Sequence, residues 1–148
     1  MSATDKPLVS VIIPAYRAAG SLPAALASIS VSGLQPSTLE VVIAPDDRQA
    51  YHGLETHGMT LTICAGSFMA TGAGPARNRA LAAARGSFIA FLDADDTWAP
   101  GYLRALLPLA KAHGATFGRT RILADGAPLL LLPPAGKDHL NLHDLGHT

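Results

Sequence analysis

The chain has 148 residues, 49% of them hydrophobic, and a mean hydropathy of +0.26, which excludes a disordered polar chain and leaves enough apolar material for one core. Lysine plus arginine and aspartate plus glutamate number 11 each, so the formal charge is zero, and a small polar ligand is a better expectation than nucleic acid. A lone cysteine, Cys64, makes an internal disulfide impossible and fits the reducing cytoplasm, and no aliphatic run is long enough to span a bilayer, although peripheral membrane association is compatible with the composition.

In chain order, "LVSVII" (8–13) is a β-branched run bounded by Pro7 and Pro14, the pattern of a central strand buried on both faces. Leu22, Leu26 and Ile29 repeat at helical spacing behind Ser21 as N-cap and Pro23 in the first turn, with Gly33 as the stop. "LEVVIA" (39–44) reads as a second strand, Asp46 to His57 as a loop with a weak helix, and "MTLTIC" (59–64) as a third strand. In that strand Cys64 reads as a small buried hydrophobe.

"GPARNRALAAARG" (74–86) predicts a helix with Pro75 in its first turn and Gly86 past its end, and "SFIAFL" (87–92) a fourth strand. Trp98 to His113 predicts a further helix that Pro108 should kink or end. Two strands around Asp125-Gly126 form a hairpin, and residues 134–148 show no clear period. Strands alternating with helices imply a Rossmann-like, three-layer α/β/α fold with a mostly parallel sheet, in one domain with a core of about residues 7–133 and a tail.

Such sheets bind ligands beyond the carboxyl ends of their strands. Three groups stand there: Pro14-Ala15-Tyr16 after the first strand, Asp46-Asp47 after the second, and Asp93, Asp95 and Asp96 after the fourth. Crowded carboxylates repel one another, and a hard divalent cation such as Mg²⁺ or Mn²⁺ relieves that repulsion while leaving positions for phosphate oxygens. Capping of the Trp98 helix accounts for one of the three acids only. An EF-hand loop fails because Trp98 and Arg104 stand where it needs glycine and glutamate.

Three stretches together, "PLVSVIIPAYRAAGSLPAALASI", the aspartate pair after the second strand, and "GPARNRALAAARGSFIAFLDADD", resemble the nucleotide-sugar-binding part of family 2 glycosyltransferases, which have the A-type glycosyltransferase fold. The resemblance covers roughly residues 7–120. It implies that Asp93 lies near the ribose and metal, with Ala94 beside it, that Asp95 coordinates Mg²⁺ or Mn²⁺, and that Asp47 accepts a hydrogen bond from the base, commonly uracil. It also implies that Pro14, Ala15 and Tyr16 line the base pocket and that Arg77 and Asn78 border the nucleotide. The expected chemistry is inverting transfer from a UDP-sugar to an acceptor hydroxyl of a glycan, lipid or other molecule. No catalytic base is assigned: Asp125 is explained by its turn, and Asp138 and Asp144 lie in the tail with His139, His143 and His147.

Two alternatives stand beside it. One is a nucleotide-binding module without transfer activity. The other reads "DADDT" as the D-x-D-x-T motif of haloacid-dehalogenase-type phosphatases, with Asp93 as nucleophile.

Overall fold

The computed structural model describes residues 6–66 and 70–132, which fall into two compact units dividing between Ala105 and Leu106. The first holds a four-stranded parallel sheet made of β1 (Val9–Ala15), β2 (Leu39–Pro45), β3 (Thr60–Ile63) and β4 (Phe88–Phe91), in the order β3-β2-β1-β4. As their mostly β-branched runs suggest, β1 and β2 are the inner strands. Val11, Ile12, Ile13, Val41, Val42 and Ile43 are all 0% exposed.

Register fixes where the strands end. β1 and β2 pair in step from Val9 opposite Leu39 to Ala15 opposite Pro45, and the Asp46 amide then donates to the Ala15 carbonyl at 2.8 Å. β4 stops sooner, with Phe91 opposite Ile12, so the Asp93 segment leaves the sheet beside the last residues of β1. β4 is an edge strand of this sheet, and Ile89 and Phe91 on it are exposed.

Helix α1 (Leu22–Ser30) buries Leu22, Leu26 and Ile29. Ser21 precedes it without capping it: its backbone is already helical (φ −100°, ψ −31°), and its hydroxyl donates backwards to the Ala18 carbonyl. Helix α2 (Ala73–Ala83) packs Ala76 and Ala80 against Ile12, Val42 and Ala44. Small side chains let the helix approach the sheet closely. Cys64 packs against this same cluster, and burial pushes its thiol pKa up despite the nearby Arg79.

The weak helix expected between Asp46 and His57 does not form. Asp47 Oδ1 accepts the Gln49 amide at 3.0 Å, a side-chain turn that competes with helical bonding, and His57 and Gly58 both have positive φ. Helix α3 (Tyr102–His113) starts later than expected and runs on through Pro108, which removes one amide donor without ending the helix. In the second unit, β5 (Thr120–Ala124) and β6 (Ala127–Leu132) pair antiparallel around Asp125-Gly126, whose φ values of 51° and 79° suit a tight hairpin turn. Asp138, His139, His143, Asp144 and His147 lie outside the described residues.

Candidate functional site

Beyond the carboxyl ends of β1, β2 and β4, the first unit opens an irregular cavity of about 600 Å³. One wall is Pro14, Ala15 and Tyr16, continuing through Arg17 and Ala18 to Ser21, and the opposite wall is Asp93, Ala94 and Asp95. Asp46, Gly72, Ala73 and Ala76 complete it from the end of β2 and the first turns of α2. Six of the residues expected from the sequence therefore share one cavity: Pro14, Ala15, Tyr16, Asp93, Ala94 and Asp95.

Asp47, Arg77 and Asn78 stand outside its lining. Asp47 instead borders a second, smaller cleft and holds the loops together: Oδ2 accepts the Arg17 amide at 2.5 Å and the Tyr51 hydroxyl at 2.9 Å. The Ala18 amide donates in turn to the Tyr51 oxygen at 3.3 Å, so one carboxylate ties the turn after β1 to the turn after β2. Burial, and the Asp47 carboxylate it faces, push the Tyr51 hydroxyl pKa up. Asn78 is exposed on α2.

Arg77 reaches the acidic segment from α2: its Nη2 lies 2.5 Å from Asp93 Oδ1, with side chains 34% and 48% exposed. Asp95 has no cationic side chain paired with it among the described residues. The pKa of Asp96 is raised by partial burial and by the charges of Asp95 and Asp93, the electrostatic mark of crowded acids. Because α3 begins at Tyr102, six positions after Asp96, neither Asp95 nor Asp96 caps it. Helix capping therefore drops out as the reason for the acidic run.

Asp46 is the site residue that the sequence left unexplained. Only 3% exposed, its carboxylate accepts the Thr71 amide at 2.8 Å, the Thr71 hydroxyl at 2.5 Å, the Gly72 amide at 2.7 Å and Arg79 Nη2 at 3.2 Å. Burial raises its pKa, but these donors overcome that and hold the group at about 2. Arg79 also donates to the Pro45 carbonyl at 2.8 Å. This clamp fixes the turn entering α2, and with it one side of the cavity. The one signal in the sequence was a carboxylate directly after the apolar run Val41–Ala44, where burial demands donors.

The carboxylates present fit a divalent cation of the kind that takes few protein ligands. No cluster of three or more metal-ligating side chains occurs among the described residues, whereas Asp93 and Asp95 share one cavity wall. Mg²⁺ is commonly held by one or two carboxylates with the remaining positions left to substrate phosphates and water.

A parallel sheet with an acidic cleft at its carboxyl edge is a Rossmann-like α/β arrangement, and the match to glycosyltransferases makes it the A-type glycosyltransferase fold. The chain belongs to glycosyl transferase family 2, whose family model matches residues 10–127. It is 31% identical over 116 residues to the UDP-Glc:alpha-D-GlcNAc-diphosphoundecaprenol beta-1,3-glucosyltransferase WfgD of Escherichia coli, covering 76% of this chain and 45% of that protein. It is 30% identical over 134 residues to the putative teichuronic acid biosynthesis glycosyltransferase TuaG of Bacillus subtilis, covering 84% and 51%.

Among solved structures, S. aureus TarS 1-349 superposes with a TM-score of 0.63 at 24% identity, over 72% of this chain and 33% of that one. Its complex with UDP gives 0.60 at 25% identity, over 72% and 32%. The chain spans about half the length of the curated relatives it matches. Family membership displaces the phosphatase reading of Asp93 and Asp95.

Proposed function

We propose that this domain binds the nucleotide-diphospho-sugar donor of an inverting glycosyltransferase, with a UDP-sugar as the donor class. The observation that carries this reading is that Asp93 and Asp95 share a cavity with Pro14, Ala15 and Tyr16, although the two groups lie about eighty positions apart in the sequence. A TarS structure with UDP bound, at 25% identity, supports the choice of nucleotide.

In this reading Tyr16, half-exposed on the wall after β1, stacks against the base. A carboxylate offers about four acceptor directions, and Asp47 uses three, on Arg17, Tyr51 and Gln49. The fourth is free for the uracil imide N–H, a proton that cytosine lacks. Asp93 and Asp95 would hold Mg²⁺ or Mn²⁺. The chemistry such an ion supplies when bound is neutralisation of the charge that develops on the departing diphosphate. The acceptor hydroxyl, giving up its proton to a base, attacks the anomeric carbon in one displacement, breaking the bond to the diphosphate oxygen, which leaves as the nucleoside diphosphate, and inverting the centre.

A second reading is favoured by a specific observation. Among the described residues the cavity is lined by three carboxylates, of which Asp46 is saturated by donors, Asp93 is paired with Arg77 and Asp95 is assigned in this reading to the cation, which leaves none of the three as a base for the acceptor. The chain by itself then binds the donor without transferring the sugar, and the base resides in a part the curated relatives carry beyond this match.

The test is calorimetric titration of UDP-sugar in the presence and absence of Mn²⁺. Binding that depends on the cation and is lost in Asp95→Ala is expected. Equal binding by that variant would overturn the reading. Release of UDP from the donor by the isolated chain would separate an active transferase from a binding module.

A further inference from the structure

We propose that Arg77 is the resident counter-ion of Asp93, with which a divalent cation must compete, so that cation and nucleoside diphosphate bind cooperatively. This rests on the reading of Asp93 and Asp95 as the cation's ligands.

The geometry sets up a direct competition. The Arg77 guanidinium contacts Asp93 Oδ1 at 2.5 Å, so one of the two carboxylates read as cation ligands is already neutralised. Arg77 itself does not line the cavity; it approaches the acidic wall from α2. The other two arginines of this segment are committed elsewhere, Arg79 to Asp46 and Arg85 to the buried Glu40. Arg77 is therefore the cation that the fold directs at Asp93.

The pair is also built to be released. With side chains 34% and 48% exposed it sits in high dielectric, where such contacts contribute little to folding, unlike the Asp46 clamp with its 5% exposed carboxylate. A cation arriving alone must share Asp93 with a fixed positive charge. A cation arriving with a diphosphate brings its own anions, which offset that repulsion. By thermodynamic reciprocity, the nucleotide then tightens cation binding by the same factor that the cation tightens nucleotide binding. Arg77 would in this way discourage loading of metal into an empty site.

The experiment is Mn²⁺ binding followed by electron paramagnetic resonance, with and without UDP, in the wild-type chain, Arg77→Gln and Arg77→Lys. Expected is tighter binding of Mn²⁺ alone to Arg77→Gln, by on the order of tenfold, with a smaller enhancement by UDP. Arg77→Lys keeps the charge and should stay within about twofold of wild type. If Arg77→Gln binds Mn²⁺ as weakly as wild type while UDP still enhances binding in both, the counter-ion inference fails and the donor-site reading stands. If no variant binds Mn²⁺ even with UDP, the donor-site reading fails, and this inference with it. Circular dichroism and the melting temperature confirm folding of each variant.

Discussion

The Gly86 amide donates to the Ser10 hydroxyl at 2.7 Å, and the two backbones lie so close that a Cβ on Gly86 would stand 2.4 Å from the Ser10 nitrogen. Ser10 in turn donates to the buried Glu40 at 2.6 Å, and Glu40 also accepts the Arg85 amide and Nε, each at 2.9 Å. Burial raises the Glu40 pKa, but the Ser10 hydroxyl and Arg85 outweigh it and leave the group below its ordinary value. Glycine is thus required where the chain turns from α2 into β4 because backbone, not a movable side chain, fills the space.

Gly86→Ala should destabilise the domain by roughly 2 kcal/mol or more, since neither strand nor loop can yield without breaking this network. Urea unfolding measures it. An unchanged midpoint would mean that the turn after α2 relaxes freely.

Asp46→Asn should cost about 2–4 kcal/mol, because the amide cannot accept every bond that Thr71, Gly72 and Arg79 offer. The same group makes stability fall with acid. Its folded pKa of about 2 lies below the ordinary 3.8, so its contribution of about 2 kcal/mol is complete above the unfolded value and is lost as pH drops through 3.8 towards 2. Urea midpoints taken from pH 6 to pH 2.5 should therefore slope less in Asp46→Asn than in wild type. Parallel slopes would contradict the clamp.

Asp47→Ala separates a structural role from base recognition. Loss of the bonds to Arg17 and Tyr51 should weaken nucleotide binding about tenfold. If the free acceptor direction meets the uracil imide, UDP should lose more affinity than CDP, and the preference between them should narrow. Equal losses for both nucleotides would leave Asp47 as a loop fastener alone.

Tyr16→Ala should lower UDP affinity by about tenfold and leave the melting temperature nearly unchanged, since the ring is 52% exposed and its nearest cation is Arg17, 5.2 Å from the ring centroid. A large loss of thermal stability would show that the ring supports the fold rather than the ligand.

What could be read from the residues alone follows from how local each signal is. The runs Leu8–Ile13 and Leu39–Ala44 announced the inner strands, and Asp125-Gly126 announced the hairpin, because burial and positive φ are written into consecutive residues. The Asp46, Thr71 and Arg79 clamp joins residues up to 33 positions apart and has no local pattern. Ser21 misled for the opposite reason: a propensity was present, but Ser21 sits in an already helical backbone, and of the two outcomes expected at Pro108 the helix does not end there. Arg77 was placed beside the nucleotide, and its contact with Asp93 required the packing of α2 on β1 and β2, within reach of the segment after β4, to be known.

The strand β2 has a buried acid at each extremity, Glu40 near its start and Asp46 just past its end, answered by Arg85 and Arg79 from α2 and the residue pair that follows it. Sliding the helix by one turn, about 5.4 Å, would orphan both carboxylates in apolar surroundings, so shear between these layers is forbidden. The floor of the cleft behaves as the fixed jaw of a vice. If the cavity takes the proposed donor, whatever adjustment different sugars demand falls to the loops at Tyr16 and Asp95, and engineering of donor preference should begin there.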